Sequence, residues 1–233
     1  MSNRTGNFSV VLFDFDGTLV NTTPLILRCF AATWQKLFGF ALDQAAYLST
    51  FGLPLETAMA QLLAQMPPSQ RRSAPDDKAA MVEEMLTTYR AFNFAWHDQM
   101  IESFPGIDEM LSALQRRGCL MGVVTSKKRV GAQRGLQLFN LHEVFAFSVC
   151  CEDTTRHKPD PAPLRHAMEK LSADPAETLY VGDSPHDIIA GSAAQIANAA
   201  AVWGPFTRTA LELAEPDLLL ETPQDLPGLC GQE

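Results

Sequence analysis

Positive charge is in short supply in this sequence. It holds 18 Lys and Arg against 27 Asp and Glu, which gives a formal net charge of −9 and a pI near 5.0. Such a chain lacks the basic surface that binds nucleic acid or anionic membranes, so we expect neither partner. Apolar runs are also short, because none approaches the roughly 18 residues of a membrane-spanning helix. The polar first residues predict no signal peptide.

Cysteine is scarce as well. The chain has five cysteines, and their odd number and scattered spacing do not suit a disulfide framework. They predict reduced, mostly buried thiols and a cytoplasmic protein. The one cluster, Cys150 and Cys151, has no second pair and no matching histidines, so we expect no metal there.

What the chain does have is a series of continuous apolar runs of strand length. Continuous apolarity is typical of strands buried on both faces, as in a parallel sheet covered by helices. From residue 104 onward these runs alternate with segments of helical character, which predicts a doubly wound α/β domain. The runs lie at residues 8–14, 119–125, 144–150, 178–183, 199–203 and 217–220.

Residues 21–103 differ from the rest, because they offer no good strand. They contain amphipathic helical segments at 22–39, 54–66 and 76–97, with a polar, Pro-rich loop over 66–77. A block of about 80 residues is too long for a simple connection. We therefore expect an α/β core made of residues 1–20 and 104–233, with an inserted all-helical domain over 21–103.

Polar residues follow several of the predicted strands at the point where each strand ends. In a parallel sheet, ligands bind at the carboxyl ends of the strands, so we expect these side chains to gather at one edge. The residues concerned are Asp14, Asp16 and Gly17 after the first strand, Thr125 and Ser126 after the second, Lys158 in a later loop, and Asp183 and Asp187 near the fourth.

This set of side chains suits phosphoryl transfer. Carboxylates, water and phosphate are the ligands that Mg²⁺ prefers, and the ammonium of Lys158 would neutralise phosphate charge. The Thr125 hydroxyl and the backbone N–H groups near Gly17 and Ser126 would donate to the phosphate oxygens. One Asp can act as nucleophile, and an Asp two residues further on can protonate the leaving oxygen and later activate water. Each piece alone is ordinary turn or capping chemistry, but four converging loops favour an active site.

The segments DFDGTLV, VVTS, the Lys of KPDP, and GDSPHD occur in this order, and with them the sequence closely resembles the haloacid dehalogenase-like hydrolase superfamily along essentially its whole length. The resemblance implies that Asp14 is the nucleophile and Asp16 the general acid and base. It implies that residues 21–103 form a helical cap, which closes over the active site and reads the leaving group. The implied phosphate-binding residues are Gly17, Thr125, Ser126 and Lys158, and the implied Mg²⁺ site comprises Asp14, Asp16, Asp183 and Asp187.

Within the superfamily, an acid at Asp16 is typical of phosphatases and mutases rather than of dehalogenases. The cap segment FGLPLETAM lacks the Arg of the sugar-phosphate mutases, and YRAFNFAWHD, GVVTSKKR and WGPFTR resemble the inorganic pyrophosphatase and phosphoglycolate phosphatase branches. We therefore expect a phosphohydrolase of a small phosphorylated metabolite, with pyrophosphate and phosphoglycolate as candidates. A mutase of the β-phosphoglucomutase type and a non-catalytic binding protein stay open as alternatives. Arg90, in the cap, is the candidate contact for an anionic leaving group.

Overall fold

The computed structural model describes residues 7–66 and 77–231. The predicted Pro-rich loop, with Arg71 and Arg72, lies almost wholly outside the described residues. In chain order the elements are β1 (Val10–Phe13), β2 (Val20–Asn21), α1 (Thr23–Phe38), α2 (Gln44–Leu48), α3 (Leu55–Gln65), α4 (Lys78–Met100), β3 (Glu102–Ser103), α5 (Ile107–Arg116), β4 (Leu120–Val124), α6 (Arg129–Leu138), β5 (Phe147–Val149), α7 (Ala162–Leu171), β6 (Thr178–Gly182), α8 (Pro185–Ala194), β7 (Ala197–Ala201), α9 (Arg208–Glu212) and β8 (Leu218–Leu220).

The chain divides into two compact units. The first comprises Met1–Asn21 and Glu102–Glu233, and the second comprises Thr22–Ile101. Within the described part of the chain, no helix is long and apolar enough to cross a membrane.

The first unit is built on a six-stranded parallel sheet in the order β5-β4-β1-β6-β7-β8. The central strand β1 pairs with β4 on one side and β6 on the other, and Val10 lies opposite Leu120 and Thr178. Every residue of β1, β6 and β7 is buried, as continuous apolar runs predict. The sheet and its helices confirm the predicted doubly wound α/β fold.

One strand lies earlier in the sequence than its apolar run predicts. The run covers 199–203, whereas β7 spans Ala197–Ala201, so Trp203 already belongs to the loop that follows. The apolar run omits Asn198, a polar residue that is buried inside the strand. Its side-chain amide donates to Ser192 Oγ and Asp217 Oδ2, which satisfies it away from water.

Helix α8 ends without the glycine that usually stops such a helix. Gln195 takes the left-handed conformation itself, with φ of 64°, and its N–H bonds to the carbonyls of Gly191 and Ser192. The helix therefore ends at Ala194.

The second unit is helical, as expected, with α1 packed on α4. Its interior holds a cluster of aromatic side chains, in which the Phe30 ring stacks on Tyr47 and contacts Trp34 and Tyr89. Helix α1 ends at Gly39, which has φ of 83°. The sequence did not predict the short α2, and α4 runs three residues beyond its predicted end at 97.

The sequence predicts no strand in residues 21–103, but the structure has a two-residue strand at each end of this block. These strands, β2 and β3, pair as a small antiparallel ribbon. Val20 lies opposite Ser103, and Asn21 lies opposite Glu102. Two-residue strands carry too little periodicity to be visible in a sequence.

Candidate active site

The carboxyl ends of β1, β4 and β6 bring three of the sequence-predicted residues to one edge of the sheet. The Asp14 N–H donates to the Val181 carbonyl at 2.9 Å, so the ladder of the central strands continues to Asp14 itself. The side chains of Asp14, Thr125 and Asp183 are all buried at this edge.

Lys158 completes this group from the loop that precedes α7. Its Nζ lies 3.0 Å from Asp14 Oδ2 and 2.6 Å from Asp187 Oδ1, and it donates to Tyr180 Oη at 3.0 Å. Burial alone would lower the pKa of Lys158, but the charges of Asp14 and Asp187 raise it above its usual value. Lys158 is therefore a permanent ammonium beside the candidate nucleophile.

Asp187 holds Lys158 in place. Its Oδ1 lies 2.6 Å from Lys158 Nζ and 2.8 Å from Tyr180 Oη, while its Oδ2 accepts from the N–H and hydroxyl of Ser184. Burial acts to raise the pKa of Asp187, but the charge of Lys158 and these hydrogen bonds together lower it below its usual value. Both oxygens of Asp187 thus have protein donors.

Three carboxylates form a candidate metal site. Asp14, Asp183 and Asp187 each offer an oxygen within 4.8 Å of the others, and all three side chains are buried. Burial raises the pKa of Asp14 to about 7 despite the opposing charge of Lys158, and burial with the charges of Asp187 and Asp14 raises that of Asp183 well above its usual value. The raised pKa values mean that the three carboxylates are hard to keep ionised together beside one ammonium, and a divalent cation such as Mg²⁺, which prefers oxygen ligands, would favour their ionised forms.

Two glycines make room for the Asp183 carboxylate. Gly17 has φ of +85°, and a Cβ there would lie 2.5 Å from Asp183 Oδ2. A Cβ on Gly204 would lie 2.4 Å from Asp183 Cβ and 3.0 Å from the Gly17 carbonyl oxygen. Thr18 Oγ1 donates to Asp183 Oδ1 at 2.7 Å, so the loop after β1 also orients the acid.

Trp203 anchors the loop after β7 to the same site. Its Nε1 donates to the Thr18 carbonyl at 2.9 Å. The sequence does not identify Trp203 or Gly204 as site residues, because the run at 199–203 predicts a strand. The segment WGPFTR was the available signal, since Gly-Pro indicates a loop rather than a strand interior.

The structure does not bring the Asp16 carboxylate into the three-carboxylate cluster. Both of its oxygens accept from Lys127 Nζ, at 2.8 and 3.1 Å. The expectation that Asp16 takes part in the metal site stays a prediction, because its carboxylate pairs with Lys127 and lies outside the group of three. Its place beside Asp14 still suits the exchange of protons with a leaving group. The sequence places Lys127 directly after VVTS, at the end of the predicted strand, but predicts no role for it.

The sequence also predicts Ser126 and Arg90 as residues that bind the substrate. Ser126 follows Thr125 and is half-buried, and Thr125 Oγ1 accepts from the Lys127 N–H at 3.2 Å. Arg90 is exposed on α4 in the second unit.

Comparisons with known proteins agree with these motifs. The family model of the haloacid dehalogenase-like hydrolases matches residues 11–201. The chain is 37% identical over 218 residues to the pyrophosphatase PpaX of Bacillus cereus (strain B4264), with 94% of each chain covered. It is 34% identical over 225 residues to the pyrophosphatase PpaX of Anoxybacillus flavithermus, with 97% of this chain and 98% of the relative covered.

Solved structures of similar proteins superpose on this chain. A haloacid dehalogenase-like hydrolase assigned in Bacteroides fragilis superposes with a TM-score of 0.83 at 26% identity, covering 96% of this chain and 100% of that one. A structure assigned as a phosphoglycolate phosphatase, from Lactobacillus plantarum, superposes with a TM-score of 0.81 at 26% identity, covering 96% and 99%. The chain belongs to the haloacid dehalogenase-like hydrolase family, and it is a phosphatase of that family.

Proposed function

We propose that this phosphatase is an Mg²⁺-dependent phosphohydrolase of a small phosphorylated metabolite and that it works through an aspartyl-phosphate on Asp14. The observation that carries the proposal is the buried contact between Asp14 and Lys158 at the sheet edge, where Thr125 follows the neighbouring strand β4. A carboxylate next to a fixed ammonium is suited to attack phosphorus, because the cation offsets the charge of the incoming phosphate.

The first step transfers the phosphoryl group to the enzyme. An Asp14 oxygen forms a bond to phosphorus, the bond between phosphorus and the leaving oxygen breaks, and Asp16 gives its proton to that oxygen. The charge of Lys158 offsets that of the remaining phosphate oxygens, which accept from the Thr125 hydroxyl and from backbone N–H groups near Asp16 and Ser126.

The second step releases phosphate. Asp16, now a carboxylate, takes a proton from water as the water oxygen bonds to phosphorus. The bond between phosphorus and Asp14 breaks, which restores both acids to their starting forms.

Asp14 and Asp183, with Asp187 beside them, would hold the cation. When bound, Mg²⁺ supplies positive charge that offsets the phosphate oxygens. The three buried carboxylates support this cofactor, since their charge exceeds that of Lys158.

For the substrate we propose pyrophosphate or a phosphoglycolate-like monoester. The support is the two PpaX relatives, which are named as pyrophosphatases, and the structure assigned as a phosphoglycolate phosphatase. We propose that the helical cap, Thr22–Ile101 in the structure, selects between such compounds. The odd number and scattered spacing of the five cysteines support the proposed cytoplasmic location, because disulfide frameworks are typical of proteins in oxidising compartments.

The test is a panel of phosphorylated metabolites assayed for phosphate release, with Mg²⁺ and with Mg²⁺ removed by a chelator. The panel includes pyrophosphate, phosphoglycolate, hexose phosphates and nucleotides. We expect release that needs Mg²⁺ and is fastest for one of the first two. Interconversion of hexose phosphates without net release would support the mutase instead, and binding with no turnover would support the non-catalytic alternative.

A further inference from the structure

Lys127 is a second lysine of the site with no role in the chemistry described so far. It lies between β4 and α6, and its backbone is fixed on both sides. Its N–H donates to Thr125 Oγ1 at 3.2 Å, and its carbonyl accepts from the Cys151 N–H at 3.0 Å. The side chain therefore starts from a fixed point next to the phosphate-binding Thr125.

The stem of Lys127 is also confined. A Cβ on Gly131 would lie 3.1 Å from Lys127 Cε and 3.4 Å from its Cγ, so the glycine provides the space through which the stem passes. The ammonium lies 5.7 Å from the centre of the Phe15 ring, within range of a cation–π contact. These contacts direct Nζ to the Asp16 carboxylate, where it makes both hydrogen bonds described above.

The two lysines of the site differ in whether an N–H group remains available to a ligand. The N–H groups of Lys158 face Asp14, Asp187 and Tyr180, and its side chain is 1% exposed. Lys127 is 14% exposed and directs N–H groups to the two oxygens of Asp16. An ammonium has three donors, so one N–H of Lys127 has no acceptor among the residues that the structure describes.

The charge of Lys127 matters for an anionic substrate. Among the residues that the structure describes, two lysines face the four acids of this edge, Asp14, Asp16, Asp183 and Asp187. A bound divalent cation then brings the net charge of the ionised site to zero. Without Lys127 the site would repel an anion in the region of Asp16, where the leaving group departs.

We propose that Lys127 binds the negatively charged part of the leaving group and makes the site selective for phosphoryl compounds whose leaving group is already an anion. The second phosphate of pyrophosphate and the carboxylate of phosphoglycolate are such groups. The inference rests on the proposed function, because it places the leaving group at Asp16, the proposed proton donor. Nζ lies within 3.1 Å of both Asp16 oxygens, so a group in contact with Asp16 is also close to Lys127.

The experiment compares Lys127→Gln with the unchanged full chain in Mg²⁺. One substrate is the better of pyrophosphate and phosphoglycolate, and the other is p-nitrophenyl phosphate, whose leaving group carries no charge until the P–O bond breaks. We expect kcat/KM for the anionic-leaving-group substrate to fall roughly ten- to a hundredfold, mainly through KM, with a change of at most roughly threefold for the aryl phosphate. Lys170→Gln removes the same charge from an exposed position on α7 and should change neither value.

A binding measurement separates recognition from catalysis. In an Asp14→Asn background, which cannot turn over, adding Lys127→Gln should weaken pyrophosphate or phosphoglycolate binding by the same factor as the rise in KM. Equal losses of kcat/KM on both substrates, or unchanged binding, would overturn the inference and leave Lys127 as a support for Asp16. Failure of the proposed function is distinguishable, since the unchanged enzyme would then release phosphate from no compound in the panel.

Discussion

Lys158 Nζ lies 2.6 Å from Asp187 Oδ1, and neither side chain is more than 1% exposed. Asp187 in turn is fixed by Ser184 at the start of α8, where the two residues form a capping box. The N-terminus of α8 thus determines where the ammonium lies, and the ammonium is the buried cation in contact with Asp14.

This relationship predicts the effect of Asp187→Asn. The amide lacks the charge that holds Lys158, and its NH₂ group would face the N–H of Ser184 or the ammonium. We expect kcat to fall at least roughly a hundredfold and the free energy of unfolding to fall by about 1.5–3 kcal/mol, as measured by turnover and urea denaturation in Mg²⁺. Asp183→Asn is the comparison. Asp183→Asn should chiefly weaken the apparent affinity for Mg²⁺. If Asp187→Asn weakened this affinity as much, Asp187 would be a metal ligand, and holding Lys158 in place would not be its main role.

Asp14→Asn should abolish turnover without unfolding the protein. The amide is nearly isosteric but cannot form the covalent bond to phosphorus. Phosphate release and thermal unfolding, measured on the same preparation, check both parts. Steady-state turnover by this variant, free of wild-type enzyme and of deamidation, would rule out Asp14 as the nucleophile.

Gly204→Ala tests the packing of the loop after β7 on Asp183. The new Cβ would lie 2.4 Å from Asp183 Cβ and 3.0 Å from a backbone oxygen, so Asp183 must move. We expect apparent Mg²⁺ affinity in the phosphate-release assay to fall about tenfold or more. Gly228→Ala is the control, because a Cβ there meets nothing within 4 Å. Equal Mg²⁺ dependence in the two variants would mean that Asp183 does not hold the cation.

Arg90→Ala tests the proposal that the cap selects the substrate. Loss of one charge-assisted contact costs about 1.5–3 kcal/mol, so kcat/KM for a substrate with an anionic leaving group should fall roughly ten- to a hundredfold. Turnover of p-nitrophenyl phosphate should barely change, and Lys78→Ala, at the exposed start of the same helix, should affect neither. Equal losses on both substrates would assign Arg90 a structural role in the cap.

The sequence predicted the part of the site that lies at strand ends. Asp14, Thr125 and Asp183 each follow a buried apolar run, and the parallel fold brings the ends of such runs together. Lys158 followed from the same reasoning, because its loop was expected to reach the sheet edge where the acids lie.

Contacts between distant loops could not be predicted in this way. Lys127 and Asp16 are 111 positions apart, and no periodicity links them. Trp203 and Gly204 lie in a loop because β7 ends at Ala201, opposite Leu220 of β8, whereas the apolar run continues to 203 and does not show that end. Both cases depend on side chains whose partners are set by tertiary packing rather than by local pattern.

Asp16→Asn tests whether the phosphoryl group is transferred to Asp14. This variant keeps the nucleophile but loses the proton donor and the activator of water. With p-nitrophenyl phosphate, whose leaving group needs little acid help, the covalent intermediate should form and then accumulate. Rapid acid quenching followed by peptide mapping by mass spectrometry should find phosphate on Asp14. A quenched enzyme without phosphate, or with phosphate on another residue, would contradict the mechanism.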